Sequence, residues 1–137
     1  MLFSRGTSLI NKMVYSVRCM LQLLIAFRKN PMSLDVSLIV GGEEVYSRNI
    51  THNLNKMAEA AGIYQHLWRP DEIGVTHARE LIAPLQQGVS LLARERERFE
   101  AFNSPNGWGL YENFVPFVAD YLAACARHPD AKVEVSR

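Results

Sequence analysis

The chain reads as an α+β domain, a two-layer sandwich in which a small three-stranded sheet is covered on one face by about three helices. Three observations lead there. A β-branched apolar run and an alternating one flank Gly41-Gly42, three stretches after them repeat apolar residues at helical spacing, and a last short run alternates again just before Arg137. Strands that few cannot bury both faces, so the helices must form the second layer. The expected order is β-β-α-α-α-β, preceded by an N-terminal amphipathic helix.

Taken in order, Val36-Ser37-Leu38-Ile39-Val40 is the first strand. Gly41-Gly42 supplies the positive φ angles of a tight hairpin turn, and Glu44 to Ile50 alternates as the returning strand. Thr51 is a good N-cap for a first helix with Leu54, Met57, Ala58 and Ala61 on one face and Gly62 at its end. Ile63 to Leu67 reads as a short apolar link closed by Trp68-Arg69-Pro70. Thr76 caps a second helix with Ala78, Leu81, Ile82, Leu85, Val89 and Leu92 inward, which Pro84 should kink or split. Arg94-Glu95-Arg96-Glu97-Arg98 is a solvated, mixed-sign helix end, after which Phe99 and Phe102 return to the core. Asn103-Ser104-Pro105-Asn106-Gly107 is a loop. The last helix shows Leu110, Phe114, Phe117, Val118, Tyr121, Leu122 and Cys125 on one face, with a bend expected at Pro116. His128-Pro129-Asp130 ends it, and Lys132 to Ser136 is the third strand.

Charge divides the 137 residues into two pieces. The first 34 carry five basic side chains (Arg5, Lys12, Arg18, Arg28, Lys29) and no acid, whereas from Asp35 onward ten Lys and Arg face fourteen Asp and Glu. Residues 1–31 are therefore expected to be a peripheral basic extension and residues 32–137 a single domain that folds without it. Three readings stay open for the extension: a stretch upstream of a natural start at Met32, a basic amphipathic helix (Leu9, Ile10, Met13, Val14, Val17, Met20, Leu21, Leu24, Ile25) for a membrane surface or a partner, and a targeting segment. Arg18 and Gln22 break its apolar run, which disfavours a spanning helix. A mildly acidic body argues against nucleic acid as a partner. Cys19 and Cys125 form no disulfide framework and fit a reducing, cytoplasmic setting.

From Met32 onward the chain resembles a family of small uncharacterised proteins from bacteria and their phages. The residues that carry the resemblance are Asn49-Ile50-Thr51-His52-Asn53-Leu54, Leu67-Trp68-Arg69-Pro70, Asn106-Gly107-Trp108-Gly109 and Val133-Glu134-Val135-Ser136-Arg137. The resemblance implies a stand-alone cytoplasmic domain and brings no catalytic residues with it.

Motifs for chemistry are sparse. His52, His66, His77 and His128 have no recognised metal-ligand spacing, so no metal and no cofactor are expected. Gly41-Gly42 precedes Glu43-Glu44, which would repel a phosphate, and no nucleophile elbow is present. Cys125 on an apolar helix face reads as an inert thiol. One constellation stands out. His52 and Asn53 sit at a strand-to-helix junction, and Asn106, Trp108 and Tyr111 at another helix start, with Trp108 between two glycines. These five residues, with Arg48 beside them, are the candidate surface for a protein or a small polar ligand. The rival role for Trp108 is a plug in the end of the core. Trp68-Arg69-Pro70 is either a rim of the surface or an aromatic staple. The favoured function is a non-catalytic interaction or ligand-binding domain. The alternative is a small enzyme with His52 as general base and Asn53 and Asn106 holding a polarised group, together with a carboxylate such as Glu112. If the third strand runs parallel to the second, the Asn106–Tyr111 loop falls beside Thr51–Asn53 and one surface results.

Overall fold

The chain divides into two units, Met1–Pro31 and Met32–Arg137. The structure, a computed structural model, describes residues 33–137; the amphipathic helix expected in the N-terminal extension lies outside the described residues. β1 (Ser33–Val40) and β2 (Glu43–Thr51) are joined by Gly41 and Gly42, at φ 58° and 82°. Two successive left-handed residues match the right-handed twist of the strands, and a side chain at either position would strain the turn. Alternation does the rest. Leu34, Val36 and Leu38 are fully buried on one face. On the other, Asn49 donates to Asp35 and Ser37 donates to Glu44, each at 2.8 Å.

β1 is the central strand, with order β2-β1-β3. β2 runs antiparallel to it, with Ser33 opposite Thr51 and a register shift between Leu38 and Ile39. β3 (Lys132–Ser136) runs antiparallel on its other side, with Asp35 opposite Ser136 and Ile39 opposite Lys132. β2 and β3 therefore point the same way.

Among the described residues the helical layer, expected as about three helices, is divided into five: α1 (Asn55–Ala60), α2 (Tyr64–Trp68), α3 (Arg79–Arg94), α4 (Arg96–Glu100) and α5 (Tyr111–Arg127). The Ile63–Leu67 stretch, expected as a link, is mostly helical, because Gly62 at φ 77° reverses the chain and lets α2 start at once. The charge run is broken at Glu95, and its mixed signs pair as Arg96 with Glu100 and Arg98 with Glu95. α3 is continuous through Pro84, and α5 through Pro116. Each proline is the sixth residue of its helix and removes a single backbone bond, while buried neighbours on both sides (Leu81 and Leu85; Phe114 and Phe117) hold the flanking turns. Thr76 stands outside α3 because its backbone serves the sheet: its carbonyl accepts from Val133 at 2.9 Å and His77 bridges to Lys132. The Glu80 carboxylate caps the Thr76 N–H instead, at 2.9 Å. Phe102 does not return to the core. It is 38% exposed, since the chain turns after α4, with the Phe102 N–H on the Phe99 carbonyl.

α5 is the main cover of the sheet. Phe114, Phe117, Val118, Tyr121 and Cys125 are fully buried. Tyr121 stacks on Tyr46 of β2 with centroids 5.8 Å apart and planes 5° apart, and Arg48 of β2 pairs with Asp120. Leu81, Leu85 and Leu92 of α3 complete the same core.

Candidate functional site

The common direction of β2 and β3 brings the end of β2 and the start of α5 to one edge of the domain. There the chain leaves Thr51 as a single 3-10 turn, His52–Leu54. Thr51 caps it, its hydroxyl accepting from the Asn53 N–H at 3.3 Å. Facing this turn is the loop before α5. Asn106 closes it locally: its side-chain oxygen accepts from the Trp108 N–H at 2.9 Å and from the Ser104 hydroxyl at 2.7 Å. The Ser104 N–H donates to the Gly109 carbonyl at 3.0 Å. Asn103 accepts from the Tyr111 N–H at 2.7 Å and so serves one of the otherwise unpaired donors at the start of α5.

Asn53 joins the two segments. Its side-chain amide donates to the Trp108 carbonyl at 2.8 Å. Gly109, at φ 117°, lies so close that a Cβ there would stand 2.9 Å from the Asn53 Cβ. The second glycine beside Trp108 is thus required twice, by its backbone angle and by this contact. The indole of Trp108 is left 70% exposed, so it is not a core plug. From Ala101 to Tyr111 the chain carries no charged side chain.

The other members of the constellation divide. Tyr111 is a core side chain, 8% exposed, whose hydroxyl donates to the Leu92 carbonyl at 2.8 Å. Arg48 is committed to Asp120 across the sheet–helix interface. His52 turns to Trp68 rather than to Trp108: the Trp68 indole N–H donates to His52 Nδ1 at 2.7 Å. A neutral imidazole that accepts at Nδ1 carries its proton on Nε2, so neither nitrogen offers the free lone pair a general base needs. Burial also holds its pKa below the ordinary value for histidine. Trp68 is 3% exposed and stacked on Tyr64 with centroids 5.4 Å apart, and its carbonyl accepts from Arg137 at 3.1 Å. It is a staple, not a rim. Arg137 also pairs with Asp71 at 3.2 Å and Glu72 at 3.6 Å, a role that sequence reasoning missed because only tertiary folding brings these residues together.

Burial pushes the Cys125 thiol up to about 12, which leaves it protonated and unreactive. Among the described residues no group of three or more His, Cys, Asp and Glu is placed to hold a metal ion, and no helix is long and apolar enough to cross a membrane. No protein-family model, no curated protein and no solved structure matches the chain.

Proposed function

We propose that residues 32–137 form a non-catalytic interaction domain, cytoplasmic and of bacterial or phage type, that binds a protein or a small polar ligand through the Trp108 loop. The observation that carries this reading is an indole 70% exposed on a loop whose backbone is braced from both sides, by Asn106 within and by Asn53 across. A large aromatic side chain on a backbone already held in place leaves less chain to be ordered on binding, which suits an energetic anchor. The uncharged stretch around it suits a partner that is recognised by stacking and amide hydrogen bonds rather than by charge. The occupied Nδ1 of His52 supports the non-catalytic reading over the general-base alternative.

The test is affinity capture from bacterial lysate with the full chain, in parallel with Trp108→Ala and the nearby control Phe102→Ala. A protein or metabolite retained by the wild type and the control but lost with Trp108→Ala, at unchanged thermal stability, is the expected result. Equal retention by all three overturns the reading.

A further inference from the structure

The two tryptophans, Trp68 buried and Trp108 exposed, are tied to adjacent residues of one short turn. Trp68 donates to His52 at 2.7 Å, and the next residue, Asn53, donates to the Trp108 carbonyl at 2.8 Å. We propose that His52 is a proton-operated latch on the Trp108 loop: a neutral imidazole locks the turn against Trp68 and sets Asn53 under the loop, and protonation releases both. This deepens the proposed binding role and rests on it for its biological consequence, although the latch itself needs no partner.

The chemistry follows from the donor inventory. Neutral His52 accepts at Nδ1; the imidazolium carries N–H groups on both nitrogens and accepts at neither. Protonation therefore sets one donor against another across 2.7 Å. Trp68 cannot yield. Its ring is buried and stacked on Tyr64, with planes 20° apart, and its carbonyl is held by Arg137. The partner that yields is the partly exposed start of the turn, His52 and Asn53, whose third residue, Leu54, stays buried in the core. Displacement of that turn carries Asn53 with it, and with Asn53 goes the hydrogen bond to the Trp108 carbonyl.

The surrounding charges do not rescue the imidazolium. Arg69, on the C-terminal side of α2, is engaged with Glu72 at 2.7 Å. Asp71 and Glu72 are shared with Arg137, which approaches the Trp68 backbone carbonyl rather than the indole N–H. Tyr64 contributes a ring and a hydroxyl that faces Arg69. On β1, Asp35 is bonded to Asn49 on the opposite face of the sheet, and the loop before α5 brings no charge. Burial alone acts on His52 and favours the neutral form. The sign follows: the latch is closed at and above the ordinary histidine value of about 6.5 and opens as pH falls through the lower value of the folded state.

The chain contains only two tryptophans, so an amide-correlation NMR spectrum of the labelled full chain holds two indole N–H signals. These are followed from about pH 7.5 to 5, a window in which ordinary carboxylates stay ionised. The Trp68 indole signal is expected to be constant and slow to exchange with solvent at the upper end. It should then shift along a sigmoid with its midpoint below about 6.5, and the Asn53 side-chain amide and Trp108 indole signals should follow with the same midpoint. His52→Asn, whose side-chain oxygen takes the place of Nδ1 as a permanent acceptor, should abolish all three shifts, while His66→Gln should leave them intact. Should the Asn variant unfold, Trp68→Phe serves. Trp108 is then the sole emitter, and its acrylamide quenching should be raised at pH 7.5 and show no acid step. A Trp68 signal that does not titrate, or one that titrates while Asn53 and Trp108 stay still, overturns the latch. Titration as expected combined with equal capture by Trp108→Ala overturns the binding role and leaves the latch standing.

Discussion

Tyr121 offers the sharpest test of the packing in α5. Its ring is fully buried, stacked on Tyr46 and tilted by 48° against Phe117 at 6.2 Å, yet its hydroxyl has no hydrogen-bond partner among the described residues, whereas the Tyr46 hydroxyl lies beside Arg48. Burial accordingly pushes its phenol well above the ordinary tyrosine value. Tyr121→Phe removes only the hydroxyl and keeps the ring, the stack and the contact with Phe117. A buried hydroxyl left without a partner costs about 1–3 kcal/mol of desolvation, and its removal leaves a void no larger than one oxygen, which works the other way. The expected net effect is a gain of about 1 kcal/mol, which for a domain of this size raises Tm by roughly 4–8 °C. Urea unfolding at pH 7.5, followed by far-UV circular dichroism, measures it directly, and an unchanged m-value shows that only stability moved. Tyr46→Phe and the double variant complete a cycle: hydroxyls that act independently give additive effects, whereas a bond shared between them makes the effect of the double variant differ from the sum. A loss of more than about 1 kcal/mol on Tyr121→Phe would refute the reasoning, because it requires a hydroxyl that is bonded in solution.

Phe117→Ala, at a fully buried position in the same helix, should cost about 3–5 kcal/mol in urea unfolding, whereas Trp108→Ala should cost less than about 1 kcal/mol. Gly109→Ala should cost on the order of 1–3 kcal/mol and speed amide exchange at Ser104, whose N–H bonds the Gly109 carbonyl; unchanged exchange would show that the loop accommodates a Cβ beside Asn53. Stability should be level from about pH 6.5 to about 8 and fall below 6.5, since burial lowers both His52 and His66 and the unfolded chain then binds more protons. His66→Gln should remove its share of that slope, and a stability that rises on acidification in this window would contradict the burial of both rings.

What could be read from the residues was what local pattern decides. The alternation of Leu34, Val36 and Leu38, the paired glycines of the hairpin and the seam from Phe114 to Cys125 each follow from one period and one turn type, and the structure has them in place. Pro84 does not split α3, because a helix with a buried face on both sides of one missing bond does not need that bond. The tryptophans mark where local reading stops. Trp68 and Trp108 are the same residue type, both beside chain-reversing residues, and they end at 3% and 70% exposure. Their fates depend on partners sixteen and fifty-five residues away, His52 and Asn53, to which no periodicity points. The place of the site nevertheless rests on a single topological fact. β1 holds Leu34, Val36, Leu38, Ile39 and Val40 with Asp35 as its one charge, while Glu43, Glu44 and Arg48 fall on β2 and Lys132 and Glu134 on β3. That distribution suits β1 to the centre and the charged strands to the edges. Two strands that flank one central strand, each antiparallel to it, must point the same way. α5 leads back to the start of β3, so its own first turn returns to the edge where β2 ends. With β1 in the middle, the Trp108 loop has nowhere to arrive except beside Asn53. With β2 in the middle, β3 would run the other way, and the exposed indole would stand at the opposite end of the domain from His52.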